Sequence, residues 1–449
     1  MMQEMLDPQD ALEAAAAAAL EQARAGGAAC AQAVARRACT HKLVVLHGEL
    51  AMLHTLQTQE VGVTVQRDGR QGAAASNQCG MAGIQGAVAD ALELARHAVP
   101  DPGLVLPDAR QAPPATALPL LWDASLAGLD AQGLHELAQA MLEPLRRDAR
   151  VAVERMEIDV ACSWHVLRNS HGVAQQERRT ALGWNVTATA REAGGVSGFG
   201  VERRRLLRGQ GAQALAAQGC AALAGRVLGQ LQPRRAPSYA GPVLLAPRAV
   251  ADIVLGPLLH HLSGRSVMDA SSAWGERIGQ GVASPLLQLG DDMHDPGLAG
   301  ATAFDREGVP TRPLALLTDG VLQAHLHSCY TARRCGTRST ASAGGPFALR
   351  MAAGATPLAQ MCAARAELLV VERFSGNVDA LKGDFSGVAK SSRLCLHGAD
   401  SCAVGETMIA GNVLDLLRQV LAVSSGSDAV DGASSLPWLL VDGVTVSGR

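Results

Sequence analysis

The sequence has 449 residues, too many for one ordinary domain, so two or three domains are expected. Its apolar fraction of 48% and its 48 glycines exclude wholesale disorder, and the formal net charge of −3 argues against a nucleic-acid-binding protein. Aromatic residues make up only 3%, which disfavours the stacking surfaces that bind single-stranded nucleic acid. The ten cysteines form no Cys-x-x-Cys pair, and neither a secretory nor a membrane-spanning segment is evident. We therefore expect a cytoplasmic protein with reduced thiols.

The first half of the chain alternates between helical and strand-like segments. Residues 28–75 consist of short runs with partial period-2 alternation, which predict an antiparallel meander of short strands. Proline-rich residues 100–119 resemble a linker. Helical periodicity predicts four helices, and one strand-like segment lies among them: helices at 10–25, 82–99, 131–147 and 212–231, and a strand at 150–169. Residues 1–235 are therefore predicted to form an α+β domain with an antiparallel sheet.

The second half of the chain is richer in strand-like segments. A boundary is predicted in the stretch "QPRRAPSYAG" (residues 232–241), after which a strand and an apolar helix follow. Further strands are predicted at "PLLQLG", "PLALLTDGVLQAHL", "AELLVVERFSG", "SRLCLH" and "PWLLVDGVTVSG". Residues 236–449 are therefore predicted to form a β-rich C-terminal domain, and the fold class of the whole chain is predicted to be α+β.

The stretch "VADIVLGPLLHHLSG" (residues 250–264) raises the question of a metal site. His260 and His261 are adjacent, so they point about 100° apart on a helix and cannot both face one metal ion. A zinc peptidase helix also needs a glutamate to activate water, and this stretch has none. Pro257 lies inside the apolar run and is expected to interrupt the helix. Taken alone, the pattern favours a packed or surface histidine pair over a metal site.

Two other clusters contain residue types that carry chemistry. The loop "GDDMHDPG" (residues 290–297) holds three aspartates, Asp291, Asp292 and Asp295, together with His294; the carboxylate oxygens suit Ca²⁺ or Mg²⁺, although Asp-Pro-Gly is also ordinary for a turn. The stretch "HLHSCYTARRC" places His325, His327 and Cys329 at alternating positions, which on a strand would lie on one face and offer a Cys/His nucleophilic pair. Neither pattern is specific.

Several landmarks in a fixed order resemble the TldD/TldE (PmbA) family over nearly the full chain. They are "RNSHG" (168–172), "GPVLLAP" (241–247), "GQGVASPLLQLGDD" (279–292), "AFDREGVPTRP" (303–313), "DGVLQAHLHSCYTARRCGTRSTASAGG" (319–345), "GDFSGVA" (383–389), "GETMIAGN" (405–412) and "LPWLLVDGVTVSG" (436–448). No single landmark decides the matter, but their order and spacing do. The resemblance implies a two-domain fold and a link to metallopeptidases that cut unfolded or partly folded peptides.

The family contains two kinds of subunit. TldD-type chains carry a His-Glu-x-x-x-His zinc helix and a cysteine ligand near the C-terminus, whereas TldE-type chains lack them and pair with a TldD-type chain. By resemblance, Leu255 takes the place of the first histidine and Gly256 that of the glutamate, and only His260 matches the motif. The final stretch "DAVDGASSLPWLLV" has no cysteine. The resemblance therefore implies a degenerate site in a TldE/PmbA-like subunit, with no catalytic, cofactor-binding or metal-binding residue in this chain.

The implied function is that of a non-catalytic subunit in a TldD/TldE-type zinc metallopeptidase that processes unfolded or leader peptides. Zinc is then expected in the TldD-type partner and not in this chain. One alternative is a peptide-binding or scaffold homodimer without proteolysis. Another is a peptidase with an unrecognised site, built from the cluster of His325 and Cys329 or from the loop around Asp291. Nucleic acid and membranes are not expected as partners.

Overall fold

The computed structural model describes residues 8–398 and 400–448 and arranges them in two β-sheets flanked by helices. Residues 30–206 supply the seven strands of the first sheet, and residues 239–447 supply the thirteen strands of the second sheet. The predicted α+β class, with an antiparallel sheet in the N-terminal half and a β-rich C-terminal half, is confirmed.

The first sheet is built around two long hairpins and has the strand order β3-β2-β1-β4-β5, with β6 and β7 both paired to β5. Its strands are β1 (Cys30–Leu46), β2 (Glu49–Arg67), β3 (Arg70–Ser76), β4 (Val151–Asn169), β5 (Ala174–Glu192), β6 (Gly195–Val196) and β7 (Gly200–Leu206). The antiparallel meander is confirmed, but the short strands predicted within it are wrong. β2 runs unbroken through Gly62, because that residue pairs with Val34 on one side and Ala75 on the other.

The four helices predicted in this half are also present, as α1 (Gln9–Ala25), α2 (Met81–His97), α4 (Ala131–Arg146) and α5 (Ala212–Gly229). The structure adds α3 (Ala124–Ala127) and a short 3-10 helix at Pro119–Leu121, which the sequence did not predict. Helices α1 and α2 pack in a cluster that includes Ala35 of β1, and α4 and α5 pack in a cluster that includes Leu43. These two residues are an even number of positions apart, so all four helices cover the same face of the sheet. The opposite face is left for the C-terminal half.

Strand β2 has a long open edge. Strand β3 pairs only with Val61–Arg67, so residues 49–60 have β1 on one side and no strand on the other among the residues that the structure covers. Apolar side chains stand exposed along this edge: Leu50 by 53%, Met52 by 47%, Leu53 by 44% and Leu56 by 54%. The edge also lacks the lysines and prolines that usually protect such strands from pairing.

The second sheet has β20 at its centre, where it pairs with β8, β12, β18 and β19. Its strands are β8 (Tyr239–Leu245), β9 (Leu289–Asp291), β10 (Leu314–Thr318), β11 (Val321–Leu322), β12 (Leu349–Met351), β13 (Glu367–Val371), β14 (Arg373–Val378), β15 (Asp384–Lys390), β16 (Arg393–Leu396), β17 (Asp400–Ala403), β18 (Thr407–Asn412), β19 (Val420–Val430) and β20 (Ser434–Ser447). The helices are α6 (Pro247–Ile253), α7 (Leu255–Leu262), α8 (Gly264–Met268), α9 (Cys329–Cys335), α10 (Leu358–Cys362) and α11 (Val413–Arg418).

The two sheets meet through the open face of the first sheet. Leu167 and Val173 pack there against Phe304, and the amide of Gln175 donates to the Gly308 carbonyl at 2.7 Å. The proline-rich segment predicted to be a linker is tied down instead, since the Asp101 carboxylate accepts from the Tyr330 hydroxyl at 2.7 Å. The domain boundary at residue 235 lies between α5 and β8 and stays a prediction. None of the helices in residues 8–398 and 400–448 is long and apolar enough to cross a membrane.

Candidate functional site

The helix that carries His260 is interrupted, as the sequence predicts. Pro247 occupies the first turn of α6, which ends at Ile253, and α7 begins at Leu255. Pro257 lacks a backbone N–H, so it cannot donate to the carbonyl four residues before it, and the two helical segments part there. Val250, Ile253 and Leu258 are buried against the second sheet, so this helix pair is held by its apolar face.

The three positions of the degenerate motif have unlike surroundings. Leu255 packs at the margin of the apolar core of the second sheet. Gly256 is exposed, and a Cβ placed there would contact nothing within 4 Å. The His260 Nε2 donates to the Ser271 carbonyl at 3.2 Å, which leaves Nδ1 to accept from the Ser266 hydroxyl at 3.3 Å. Both ring nitrogens of the one matching residue are therefore engaged by protein groups.

His261, the neighbour of His260, is a core residue. Its side chain is fully buried, its Nδ1 accepts from the Ala273 N–H at 3.1 Å, and its ring lies 5.7 Å from the Trp274 ring. Burial, followed by the proximity of His260, lowers the pKa of this imidazole below its ordinary value. His261 therefore stays neutral in the folded protein and acts as a packing group.

The loop that the sequence offered as a Ca²⁺ or Mg²⁺ site uses its carboxylates for folding. The buried Asp291 carboxylate accepts from the Ala348 N–H at 2.7 Å and from the Phe347 N–H at 3.1 Å. Asp292 accepts from the backbone N–H of His294 at 3.3 Å, and the His294 ring lies 3.2 Å from the Thr311 hydroxyl. Burial raises the pKa of Asp291, which is the opposite of what a cation ligand requires.

The strand predicted for His325, His327 and Cys329 is wrong. Strand β11 ends at Leu322, the next residues are irregular, and Cys329 begins α9. The sequence signal that decides this is the capping box, in which the Ser328 side chain accepts from the Thr331 N–H and the Thr331 side chain accepts from the Ser328 N–H. The alternating spacing of His325, His327 and Cys329 therefore does not reflect a strand.

The chemistry of this cluster also differs from a nucleophilic pair. The rings of His325 and His327 are buried 6.0 Å apart, and burial together with the nearby His325 lowers the pKa of His327 to about 4. Burial and the adjacent Glu307 carboxylate raise the pKa of the Cys329 thiol far above its ordinary value. A thiol held in its protonated form beside a weakly basic imidazole is a poor nucleophile.

Close packing fixes His327 in place. A Cβ at Gly264 would lie 2.4 Å from the His327 Nδ1, so only glycine allows α8 to approach this ring. The same Nδ1 lies 3.2 Å from the Thr331 hydroxyl. The Glu307 carboxylate accepts from the Cys329 N–H at 2.6 Å and so ties α9 to the loop before it. Glu307 lies within "AFDREGVPTRP", and no local pattern in the sequence indicates its contact with α9.

A cleft lies where the open face of the first sheet meets the loops around residues 300–306 and 347, and sequence reasoning did not find it. Its volume is ≈ 430 Å³. The charged and aromatic residues that line it are Arg36, Arg37, Glu60, Trp164, His165, Glu177, Arg179, Phe304, Asp305, Arg306 and Phe347. The signal in the sequence was the alternation of polar residues on β1, β2, β4 and β5, but it becomes a site only once the cross-strand register is known.

The zinc that the family resemblance implies for TldD-type chains does not fit the residues of this chain. Leu255 and Gly256 offer no ligand and no general base, and His260 has both ring nitrogens in hydrogen bonds. Among the residues that the structure describes, no group of three or more His, Cys, Asp or Glu side chains is arranged to hold a metal ion.

Comparison with known proteins gives consistent similarities. Residues 238–448 match the family model described as the PmbA/TldA metallopeptidase C-terminal domain. The chain is 29% identical over 406 residues to the metalloprotease PmbA of Escherichia coli O157:H7, covering 88% of each chain. It is 26% identical over 402 residues to a metalloprotease PmbA homolog of Haemophilus influenzae, covering 87% of this chain and 86% of the relative.

The fold is shared with a solved structure. The crystal structure of TldE from Thermococcus kodakarensis superposes with a TM-score of 0.86 at 20% identity, covering 98% of this chain and 100% of that one. The family model accounts for the second sheet and the helices α6 to α11, and the superposition extends over both sheets. Residues 238–448 therefore form the C-terminal domain of a PmbA/TldA metallopeptidase-like protein, and the chain as a whole is similar to the PmbA metalloproteases and shares the TldE fold.

Proposed function

We propose that this chain is a non-catalytic, TldE/PmbA-like subunit of a TldD/TldE-type zinc metallopeptidase complex that processes unfolded or leader peptides. One observation carries the proposal: at the three positions of the zinc-helix motif, the chain has Leu255, Gly256 and a His260 whose ring is fully hydrogen-bonded. Peptide hydrolysis at a zinc ion needs at least three protein ligands for the metal and a general base near the zinc-bound water. The catalytic zinc is accordingly assigned to the TldD-type partner.

The open edge of β2 supports the association part of the proposal. On one side, residues 49–60 pair with no strand among the described residues, and Leu50, Met52, Leu53 and Leu56 expose apolar surface on both faces of the strand. An unprotected edge of this kind pairs readily with a strand from another chain. The only ionisable groups along it are Glu49, His54 and Glu60, so it fits an apolar strand better than a charged one. We assign a strand of the TldD-type partner to this edge.

The chain's own contribution is to shape the path of the peptide. Peptide bound in extended form at a strand edge is held by main-chain hydrogen bonds and so with little sequence preference, which suits a complex that selects unfolded segments. The names of the relatives, which call them metalloproteases, support a peptide substrate. A cytoplasmic location is part of the proposal and is supported by the ten cysteines, none of which forms a disulfide.

The division of labour is tested by co-purifying this chain with a TldD-type chain and measuring cleavage of an unfolded peptide. We expect the His260→Ala variant of this chain to leave kcat unchanged, whereas removal of the partner's zinc helix abolishes cleavage. Loss of cleavage on His260→Ala in a complex that still forms would contradict the proposal. Cleavage by this chain alone would instead support a peptidase with its own site.

The association is tested by the Leu53→Lys/Leu56→Lys variant. Two charges on an edge that must be buried against another strand oppose pairing, so we expect the complex to dissociate in size-exclusion chromatography with light scattering. The matched control is Leu94→Lys/Leu286→Lys, which adds the same charges at leucines that are 53% and 49% exposed elsewhere. A complex that survives the edge variant contradicts the assignment. A homodimer that forms from this chain alone and does not exchange a subunit with a TldD-type chain would favour the alternative of a scaffold homodimer.

A further inference from the structure

In the cleft between the two sheets, three of the four arginines lack a hydrogen-bond or ion-pair partner among the described residues, whereas Arg179 pairs with Glu177. The side chains of Arg36, Arg37 and Arg306 make no hydrogen bond or ion pair with any described residue. The His165 Nε2 is also buried without a hydrogen-bond partner in the part of the chain that the structure describes. Buried polar atoms in proteins are nearly always paired, so such a group points to a ligand.

The first sheet places Arg36 and His165 in one row with Glu60 and Glu177. In the register of the sheet, Arg36 lies opposite Glu60 on one side and opposite His165 on the other, and His165 lies opposite Glu177. Directly opposite residues point to the same face, and this face is the one that the four helices leave open. The row is therefore presented to the loops of the second sheet.

Two of the three carboxylates of the cleft, those of Glu177 and Asp305, are already engaged by the fold, whereas Glu60 makes no hydrogen bond or ion pair with a described residue. Glu177 accepts from the Ala303 N–H at 2.8 Å and from the Thr302 hydroxyl at 3.1 Å, and it pairs with Arg179. The Asp305 carboxylate accepts from three backbone N–H groups, those of Glu307, Val309 and Ala343. Glu177 and Asp305 hold the loop in place, whereas the guanidinium groups of the three unpaired arginines make no hydrogen bond or ion pair that stabilises the fold.

The charge of the lining selects the kind of anion. Four arginines and three carboxyl groups line the cleft, for a net charge of about +1 if every carboxyl group is ionised. That balance suits a single carboxylate, whereas a dianionic phosphate would meet three nearby acids. Guanidinium groups match the planar carboxylate with paired hydrogen bonds. Phe304 and Phe347 add apolar surface beside the arginines.

We propose that this cleft binds the free C-terminal carboxylate of a peptide, with the arginines on the carboxylate and the phenylalanines on the last side chain. The identification of the ligand as a peptide rests on the proposed function. Binding of the chain end would anchor one terminus of an extended peptide to this subunit and leave the rest of the peptide free to reach the partner.

The test is fluorescence anisotropy of this chain alone with two labelled unfolded peptides that are identical except for a free C-terminal carboxylate or a C-terminal amide. We expect the free acid to bind at least tenfold more tightly. The Arg36→Ala/Arg306→Ala variant should weaken binding of the acid at least tenfold and leave binding of the amide unchanged, because only the acid presents a carboxylate to the two guanidinium groups.

The matched control is Arg24→Ala/Arg110→Ala, which removes the same charge from two exposed arginines outside the cleft. It should bind both peptides as the unmodified chain does. Equal affinity for acid and amide, or no binding of either, overturns the proposal. Displacement of the free acid by inorganic phosphate at an equal concentration would overturn it in favour of a phosphate site. Zinc loading and cleavage in the complex do not enter this experiment, so its failure leaves the proposed function separately testable.

Discussion

The polar clusters at α7, residues 290–297 and residues 325–329 can be compared with the cleft between the sheets. In the first three, His260, Asp291 and His327 have hydrogen-bond partners, and His261 is bonded through Nδ1 while its buried Nε2 has no partner in the part of the chain that the structure describes. In the cleft, Arg36 and Arg306 have none among the residues that the structure describes. The former groups stabilise the fold, whereas the latter are free to contact a ligand.

This difference shows that residue type alone does not locate a site. Two adjacent histidines or three aspartates in one loop look more suggestive than arginines scattered over several strands. The arginines are nevertheless the better candidates for ligand binding, because a group that already has a hydrogen-bond partner must break that bond before it can bind a ligand. The comparison predicts that substitutions in the clusters reduce stability, whereas those in the cleft reduce binding.

The largest effect is expected at Asp291. The Asp291→Ala variant would leave the Phe347 and Ala348 N–H groups buried without an acceptor, and each such group costs about 1–3 kcal/mol, so we expect a loss of about 3 kcal/mol in the free energy of unfolding. Urea unfolding followed by circular dichroism measures this. Asp292→Ala is the control, because Asp292 accepts only one longer bond, and it should cost less than 1 kcal/mol. Equal losses of unfolding free energy would contradict the conclusion that the Asp291 carboxylate stabilises the fold more than the Asp292 carboxylate does.

A pH-dependent effect of similar size is expected at His327. Its pKa is about 4 in the folded chain and 6.5 when exposed, so below pH 6.5 the unfolded chain binds a proton that the folded chain excludes. Stability from this ring is therefore present above pH 6.5 and lost as the pH falls towards 4, by at most about 3 kcal/mol. The difference in unfolding free energy between the unmodified chain and His327→Gln should shrink over this range.

The control for the pH effect is His97→Gln, since His97 is exposed on α2 and pairs only with Glu93. Its difference from the unmodified chain should change little between pH 6.5 and pH 4. A His327→Gln variant whose stability falls as steeply with acid as that of the unmodified chain would contradict the assignment of a buried, neutral ring.

Smaller losses of unfolding free energy are expected for the two adjacent histidines of α7, His260 and His261. His261→Ala removes a fully buried ring and leaves the Ala273 N–H without its acceptor, so we expect a loss of about 2 kcal/mol or more. His260→Ala removes two longer hydrogen bonds from a half-buried ring and should cost about 1 kcal/mol or less. Thermal unfolding of the two variants side by side checks this. The reverse order would mean that His260 is the better-packed residue.

The smallest effect on stability is expected in the cleft. Arg36→Ala and Arg306→Ala remove side chains that make no ion pair within the described residues, so each should change the free energy of unfolding by less than about 0.5 kcal/mol. Urea unfolding of the same variants that enter the peptide-binding measurement gives this number. A large loss would show that these arginines stabilise the junction of the sheets.

The sequence predicts the helices of this fold well and its sites poorly, for physical reasons. Helix α1 follows from local propensity up to Gly26, and the break before α7 follows from Pro257. The polar spacing around His327 imitates a strand, and only the Ser328–Thr331 capping box reveals the helix. The cleft depends on a register between strands more than 100 residues apart, which no local pattern contains.

The central claim is that this chain carries no catalytic zinc, and the most direct test is elemental analysis of zinc per chain. The protein would be measured alone and again after co-purification with a TldD-type partner. The account predicts close to zero zinc on the isolated chain and about one zinc per heterodimer, since Leu255 and Gly256 replace a ligand and the base. Stoichiometric zinc on the isolated chain would contradict it and would direct the search for ligands to His260, His261, His294, His325 and His327.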